Sequence, residues 1–128
     1  MPALTPTTQD IKSTEKIAPG RYRAKVVKVE EDKPSNDGNS LNDWVHFEIT
    51  EPGDYQGRLL RRCFSEKEPN RRNAIKFFSA FGMTVEAGKE YRFKNTEGRE
   101  LYIYVGHRLN KADGKTYEDV SDFQGLEA

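Results

Sequence analysis

The chain has 128 residues, with 21 lysines and arginines balanced by 21 aspartates and glutamates, and only 34% of its residues are hydrophobic. That length suits one domain with a modest core, and zero net charge excludes a long-range pull toward nucleic acid or membrane from overall charge alone. The single cysteine, Cys63, excludes an internal disulfide and a cysteine-built zinc site and fits a reducing cytoplasm; no apolar run reaches membrane-spanning length.

Residues 1–17, rich in Thr and Pro, read as a flexible arm laid on the domain through Ile17. Pro19-Gly20 marks a turn, the domain proper is expected over residues 18–124, and residues 125–128 form a short tail. In the first strand Tyr22, Ala24 and Val26 alternate with Arg21, Arg23 and Lys25; then Val27 and Val29 become the apolar set, with Lys28 between them. A slip of one residue predicts a β-bulge, which bends the strand and lets it serve two sheets. Residues 30–43 read as a polar loop dense in turn formers. The second strand, 44–50, carries Val45, Phe47 and Ile49 on one face and Trp44, His46 and Glu48 on the other. A short turn, EPGDYQG, joins it to a third strand beginning at Arg58, so the two read as a hairpin.

The stretch from Gly57 to Gly82 holds the main positive charge and the most convincing helix. Between Arg58 and Lys76 seven basic residues face only Glu66 and Glu68. After the break at Glu68-Pro69-Asn70, Asn70 is a suitable N-cap. Ala74, Phe78 and Phe81, with Ile75 beside them, make an apolar stripe, and Gly82 suits the close of a helix. Ala87-Gly88 then turns into a short strand, 90–94, bearing Tyr91 and Phe93. The clearest strand follows, with Leu101, Ile103 and Val105 inward and Tyr102, Tyr104 and Arg108 outward. Asp113-Gly114 predicts a hairpin turn, and a last strand, 116–123, has Tyr117, Val120 and Phe123 as anchors. Leu101, Ile103, Val105, Val45, Phe47 and Phe78 are the expected core. The principal order, three strands, a helix and two strands, predicts an all-β fold: a five-stranded Greek-key OB-fold barrel with one α-helix between the third and fourth strands.

Catalysis has little support. His46 and His107 lie on different strands without metal-ligand spacing, and phosphate loops and nucleophile elbows are absent from the sequence. No enzyme activity, cofactor or metal is expected. Single-strand binding has more: it needs cations for the backbone and flat aromatic faces for the bases. The outer face of the first strand offers Arg21, Arg23 and Lys25; the third offers Arg61 with Arg58 or Arg62; Trp44 and His46 project between them, and Tyr102 and Tyr104 lie outward on the fourth. Taken singly, the alternating arginines and lysines also fit a solvated sheet face, Trp44 also fits a cap on the barrel, and Tyr102 and Tyr104 also fit packing under the N-terminal arm. Arg71 and Arg72, near a helix N-terminus where cations are disfavoured, hint at a phosphate. From Glu30 to Asp54 eight carboxylates face Lys33 alone. Such an acidic segment would repel stray nucleic acid, or pair with the cationic groove of a second copy in a homodimer.

The segments APGRYRAKVVKVE, YQGRLLRRCF, FFSAFG and EGRELYIYVGHR, with the ending KTYEDVSDF, resemble in that order a small phage and prophage family. Its members are described as domains of unknown function or as single-stranded DNA-binding proteins, and are encoded near replication and recombination genes. The resemblance covers residues 17–123 and implies an OB-fold, single-stranded DNA as ligand, and phage or host replication and recombination proteins as partners in a bacterial cytoplasm. The chain departs from many single-strand binders in its end, EDVSDFQGLEA, which is weakly acidic and lacks a terminal aromatic. The alternative is a structural or protein-interaction module, an assembly or adaptor domain on the same small barrel without nucleic-acid binding.

Overall fold

A computed structural model describes residues 3–7, 16–34, 41–65 and 70–126. The middle of the N-terminal arm (8–15), the acidic loop tip (35–40), the break before the helix (66–69) and the last two residues lie outside the described set, as does the side chain of Asn70. The chain runs β1 (Gly20–Pro34), β2 (Leu41–Ile49), β3 (Leu59–Phe64), α1 (Asn70–Ser79), a 3-10 turn (Phe93–Thr96), β4 (Glu100–Asn110) and β5 (Lys115–Gln124). All strand pairs are antiparallel, in one five-stranded sheet of order β3-β2-β1-β4-β5. Among the described residues the protein is therefore mostly β, with one α-helix, between the third and fourth strands.

β1 organises the sheet because it is bent. Its first part, Gly20 to Lys25, pairs with β4, while Ala24 to Pro34 pairs with β2. The register with β2 jumps between Val26↔Phe47 and Lys28↔His46, so Val27 is the extra residue of a bulge. The alternation slip predicted that bulge. It did not predict that Val27 itself turns outward, at 41% exposure, leaving Ala24, Val26 and Val29 as the inward residues. A second register shift lies between Glu30 and Lys33, where Asp32 adopts a left-handed φ of 56° and donates its N–H to Asp43 Oδ1 at 2.9 Å. β1 continues to Pro34, and β2 starts at Leu41, so the connecting loop is shorter than the sequence suggests.

Among the described residues no ladder joins β3 to β5; side chains bridge these two edges instead. Arg62 donates through Nη1 to the Val120 carbonyl at 3.1 Å and to Asp119 Oδ1 at 3.2 Å. α1 packs on both strands and covers the same gap. The six expected core residues are all buried, joined by Ile17, Ile49, Phe64, Phe77, Val120 and Phe123. Burial of Ile17, whose carbonyl is 2.7 Å from His107 Nε2, fixes the point where the N-terminal arm meets the domain.

All seven phenylalanines belong to one aromatic cluster. Phe77, fully buried, is its centre, with ring centroids from 5.1 Å (Phe81) to 6.0 Å (Phe47) away. The apolar face of α1 is therefore Ala74, Phe77 and Phe78, continued by Phe81 in the turn that follows. Ile75 is half exposed, because its position lies on the flank of that stripe. Gly82, at φ 80°, closes the helix as expected.

Two further expectations are corrected. Residues 90–94 form no strand: Phe93 begins the 3-10 turn and stacks on Phe64 at 4.7 Å, while Tyr91 bonds the backbone of Thr84 and Glu86. Tyr117 is no anchor. Ser121 is an extra residue in the β4–β5 ladder, which turns both Val120 and Phe123 inward and leaves Tyr117 at 47% exposure, bonded to Asp113.

Candidate nucleic-acid interface

The pleat and the bulge together decide which charged side chains share the outer face. Beyond Val27, the ladder sets Lys28, His46 and Arg61 in one row across β1, β2 and β3, and Glu30, Trp44 and Cys63 in the next. Directly opposed residues project on the same side of a sheet. Arg61 lays its guanidinium 4.6 Å from the centroid of the half-buried Trp44 ring, within cation–π range. His46 Nε2 is 2.8 Å from Glu30 Oε1, and Lys28 and Lys33 approach the same carboxylate at 4.0 and 3.6 Å. That hydrogen bond first, and the lysines after it, hold the Glu30 carboxyl below the ordinary range.

Before the bulge, the face continues onto β4 and β5. Arg23 opposes Tyr102, which opposes Gln124; Arg21 opposes Tyr104, which opposes Asp122. The Arg21 guanidinium lies 4.4 Å from the Tyr102 ring centroid and donates to Gln124 Oε1 at 3.1 Å. Tyr104 donates its hydroxyl to the same oxygen at 2.8 Å. Arg23 is paired with Glu100 at 2.6 Å. Lys25, exposed, opposes Glu48 on one side and Glu100 on the other and joins the two halves. From Arg21 to Glu30 the face runs roughly 30 Å along β1.

Eight of the ten residues singled out in the sequence thus share this outer face: Arg21, Arg23, Lys25, Trp44, His46, Arg61, Tyr102 and Tyr104. Arg58 and Arg62 do not. Arg62 shares the inward face of β3 with Leu60 and Phe64, and reaches across the seam to β5. Arg58 lies 3.8 Å from Glu118. Lys76 of α1 lies 3.9 Å from Asp122. The concentration of positive charge between residues 58 and 76 is accordingly matched in part by Glu118, Asp119 and Asp122 along β5. Arg71 and Arg72 are exposed on the first turn of α1, a turn that itself contains no acidic residue.

Lys28, Glu30 and Gln124 complete the two clusters, and reading the sequence missed them. The slip at Val27 carried the signal for Lys28, because a bulge keeps Lys25 and Lys28 on one side; the pairing partners of Glu30 and Gln124 need the register. Cys63 lies beside Trp44 with its thiol pushed up by burial. Among the described residues no group of three or more His, Cys, Asp or Glu is placed to hold a metal ion, and no helix is long and apolar enough to cross a membrane.

The fold and this face define a small antiparallel β domain with a mixed aromatic and cationic sheet surface. A family model described as "Protein of unknown function (DUF669)" matches residues 5–128, and the chain belongs to that family. No curated protein matches the chain.

Proposed function

We propose that the protein binds single-stranded DNA across the outer face of β1, β2, β3 and β4, holding it by phosphate contacts and aromatic stacking without reading a sequence. The observation that carries this reading is the pair of arginine-covered aromatics, Arg61 on Trp44 and Arg21 on Tyr102, set on either side of the cations of β1. Arginine planes and aromatic rings both stack bases, and the intervening lysines meet the backbone. The fold fits an OB-type barrel left partly open between β3 and β5: the strand order, the bent first strand and the helix over that seam all support it. On this reading the protein is no enzyme and needs no cofactor. It protects or organises single strands during phage replication or recombination in the bacterial cytoplasm.

Trp44 is the only tryptophan. A base stacking on the Trp44–Arg61 pair quenches its fluorescence; an oligonucleotide titration in low salt should show quenching by single strands and little by duplex. An unchanged spectrum with single strands contradicts the reading.

One observation favours the other class. Several cations of the face already have carboxylate partners, Arg23 with Glu100, and Lys28 and Lys33 with Glu30, as on a surface built for a protein partner. A docking module would keep its fold and show no oligonucleotide binding at any salt.

A further inference from the structure

A carboxylate stands inside the Trp44 cluster, where a surface built only for phosphates would have none. We propose that Glu30 makes this face favour bases carrying amino groups, cytosine, adenine or guanine, over thymine. The inference rests on the single-strand reading above and adds to it a bias among bases.

The position comes first. Glu30 and Trp44 are directly opposed across the β1–β2 ladder, so their side chains leave the sheet on the same side with Cβ atoms about 5 Å apart. A base lying on the Trp44–Arg61 stack brings an edge toward the Glu30 carboxylate. The geometry leaves that carboxylate able to accept. His46 Nε2 takes one site on Oε1 at 2.8 Å, whereas Lys28 and Lys33, at 4.0 and 3.6 Å, stand beyond hydrogen-bond distance. A carboxylate accepts at about four lone-pair sites, so Oε2 keeps room for a new donor. The same neighbours keep the group ionised, and an ionised carboxylate only accepts.

Base chemistry then sets the preference. Cytosine N4, adenine N6 and guanine N1 and N2 present N–H donors on the edge that an unpaired base exposes. Thymine has a single donor, N3–H, set between O2 and O4, so a carboxylate that accepts from it is repelled by both oxygens and the contact is weaker than one with an amino group. His46 fixes the Glu30 carboxylate from the adjacent strand, so the acceptor is held in place before a base arrives. Were Glu30 only a counterion for Lys28 and Lys33, it would weaken all strands equally, whatever their bases.

The test compares labelled oligo-dC and oligo-dT of one length against the full chain, by anisotropy at low salt and slightly alkaline pH, where cytosine stays unprotonated. The wild type should bind oligo-dC roughly tenfold more tightly, the value of one hydrogen bond to a charged acceptor. Glu30→Gln, whose amide both donates and accepts, should bring the ratio close to one. Glu30→Asp, which keeps the charge on a shorter stem, should keep the direction with a smaller ratio. Thermal melting shows that both variants are folded. Equal wild-type affinities, or a Glu30→Gln change of the same size for both oligonucleotides, overturn the proposal while leaving single-strand binding intact. If neither oligonucleotide binds, the single-strand reading itself fails and takes the proposal with it.

Discussion

The Arg61 guanidinium lies 4.6 Å from the centroid of the Trp44 ring, on the face of the sheet opposite the core, so cation and aromatic form one stack. Groups in contact do not contribute independently. Trp44→Ala should weaken single-strand binding by about 1–3 kcal/mol, and Arg61→Ala should lower the salt slope by about 0.7 for one lost phosphate contact. The double variant should lose less than the sum of the two, by at least about 0.5 kcal/mol. A double-mutant cycle measured by oligonucleotide titration checks this. Strict additivity would mean that the stack is not the unit that meets the base.

Phe77 is fully buried. It sits at the centre of the aromatic cluster, in contact with residues of β2, β3, β5 and the 3-10 turn. Phe77→Ala should cost about 3–5 kcal/mol, a large part of the roughly 5–15 kcal/mol that holds a domain together. Ile75→Ala, on the exposed flank of the same helix, should change the melting temperature little. Urea or thermal melts of the two variants give the comparison.

Arg62 and Arg61 are neighbours in sequence on opposite faces of β3. Arg62 ties β3 to β5 through Asp119 and the Val120 carbonyl, so Arg62→Ala leaves two partners unpaired in the seam. It should destabilise by about 1–3 kcal/mol and leave the salt slope of binding unchanged. Arg61→Ala should do the reverse. Melting and salt titration on both variants separate the two roles.

Acid should loosen the domain. Glu30, Glu97 and Asp113 are all held below their ordinary values, by the hydrogen bonds from His46, from the Val29 N–H and from Tyr117 respectively. Each binds its proton more weakly in the folded chain than in the unfolded one. Their stabilisation is therefore complete above about pH 5 and is lost as pH falls through and below the ordinary carboxylate range. Asp43, raised by burial, acts in the opposite sense and offsets part of this. Melting temperature followed from neutral to acidic pH should decline over that window, and Glu97→Gln should flatten the decline.

The five strands of the sheet, the helix and most of the inward residues were legible because period-two alternation and the apolar stripe report directly on one neighbour, the core. Leu101, Ile103 and Val105 needed nothing else. What needed the register was hidden. Arg62 and Arg61 both look like outward charges in a basic run, and only the pairing with β2 and the approach of β5 send one inward. Tyr117 was misread because the extra residue at Ser121 changes the phase of β5 after it has passed the hairpin. The charge excess between residues 58 and 76 invited a ligand, yet part of it answers Glu118, Asp119 and Asp122, which lie far along the chain. The outer face was legible in composition, as cations with a tryptophan between them. Its division into two arginine-covered aromatics was not, since that depends on side-chain reach across strands.

The most direct test of the whole account is the affinity for a labelled single-stranded oligonucleotide and for its duplex, each followed across a range of salt. The account predicts micromolar or tighter binding of the single strand at low salt, much weaker binding of the duplex, and a linear fall of log affinity with log salt whose slope shrinks in Arg21→Ala and Arg61→Ala. Equal affinity for single strand and duplex, or no binding at low salt, would contradict it.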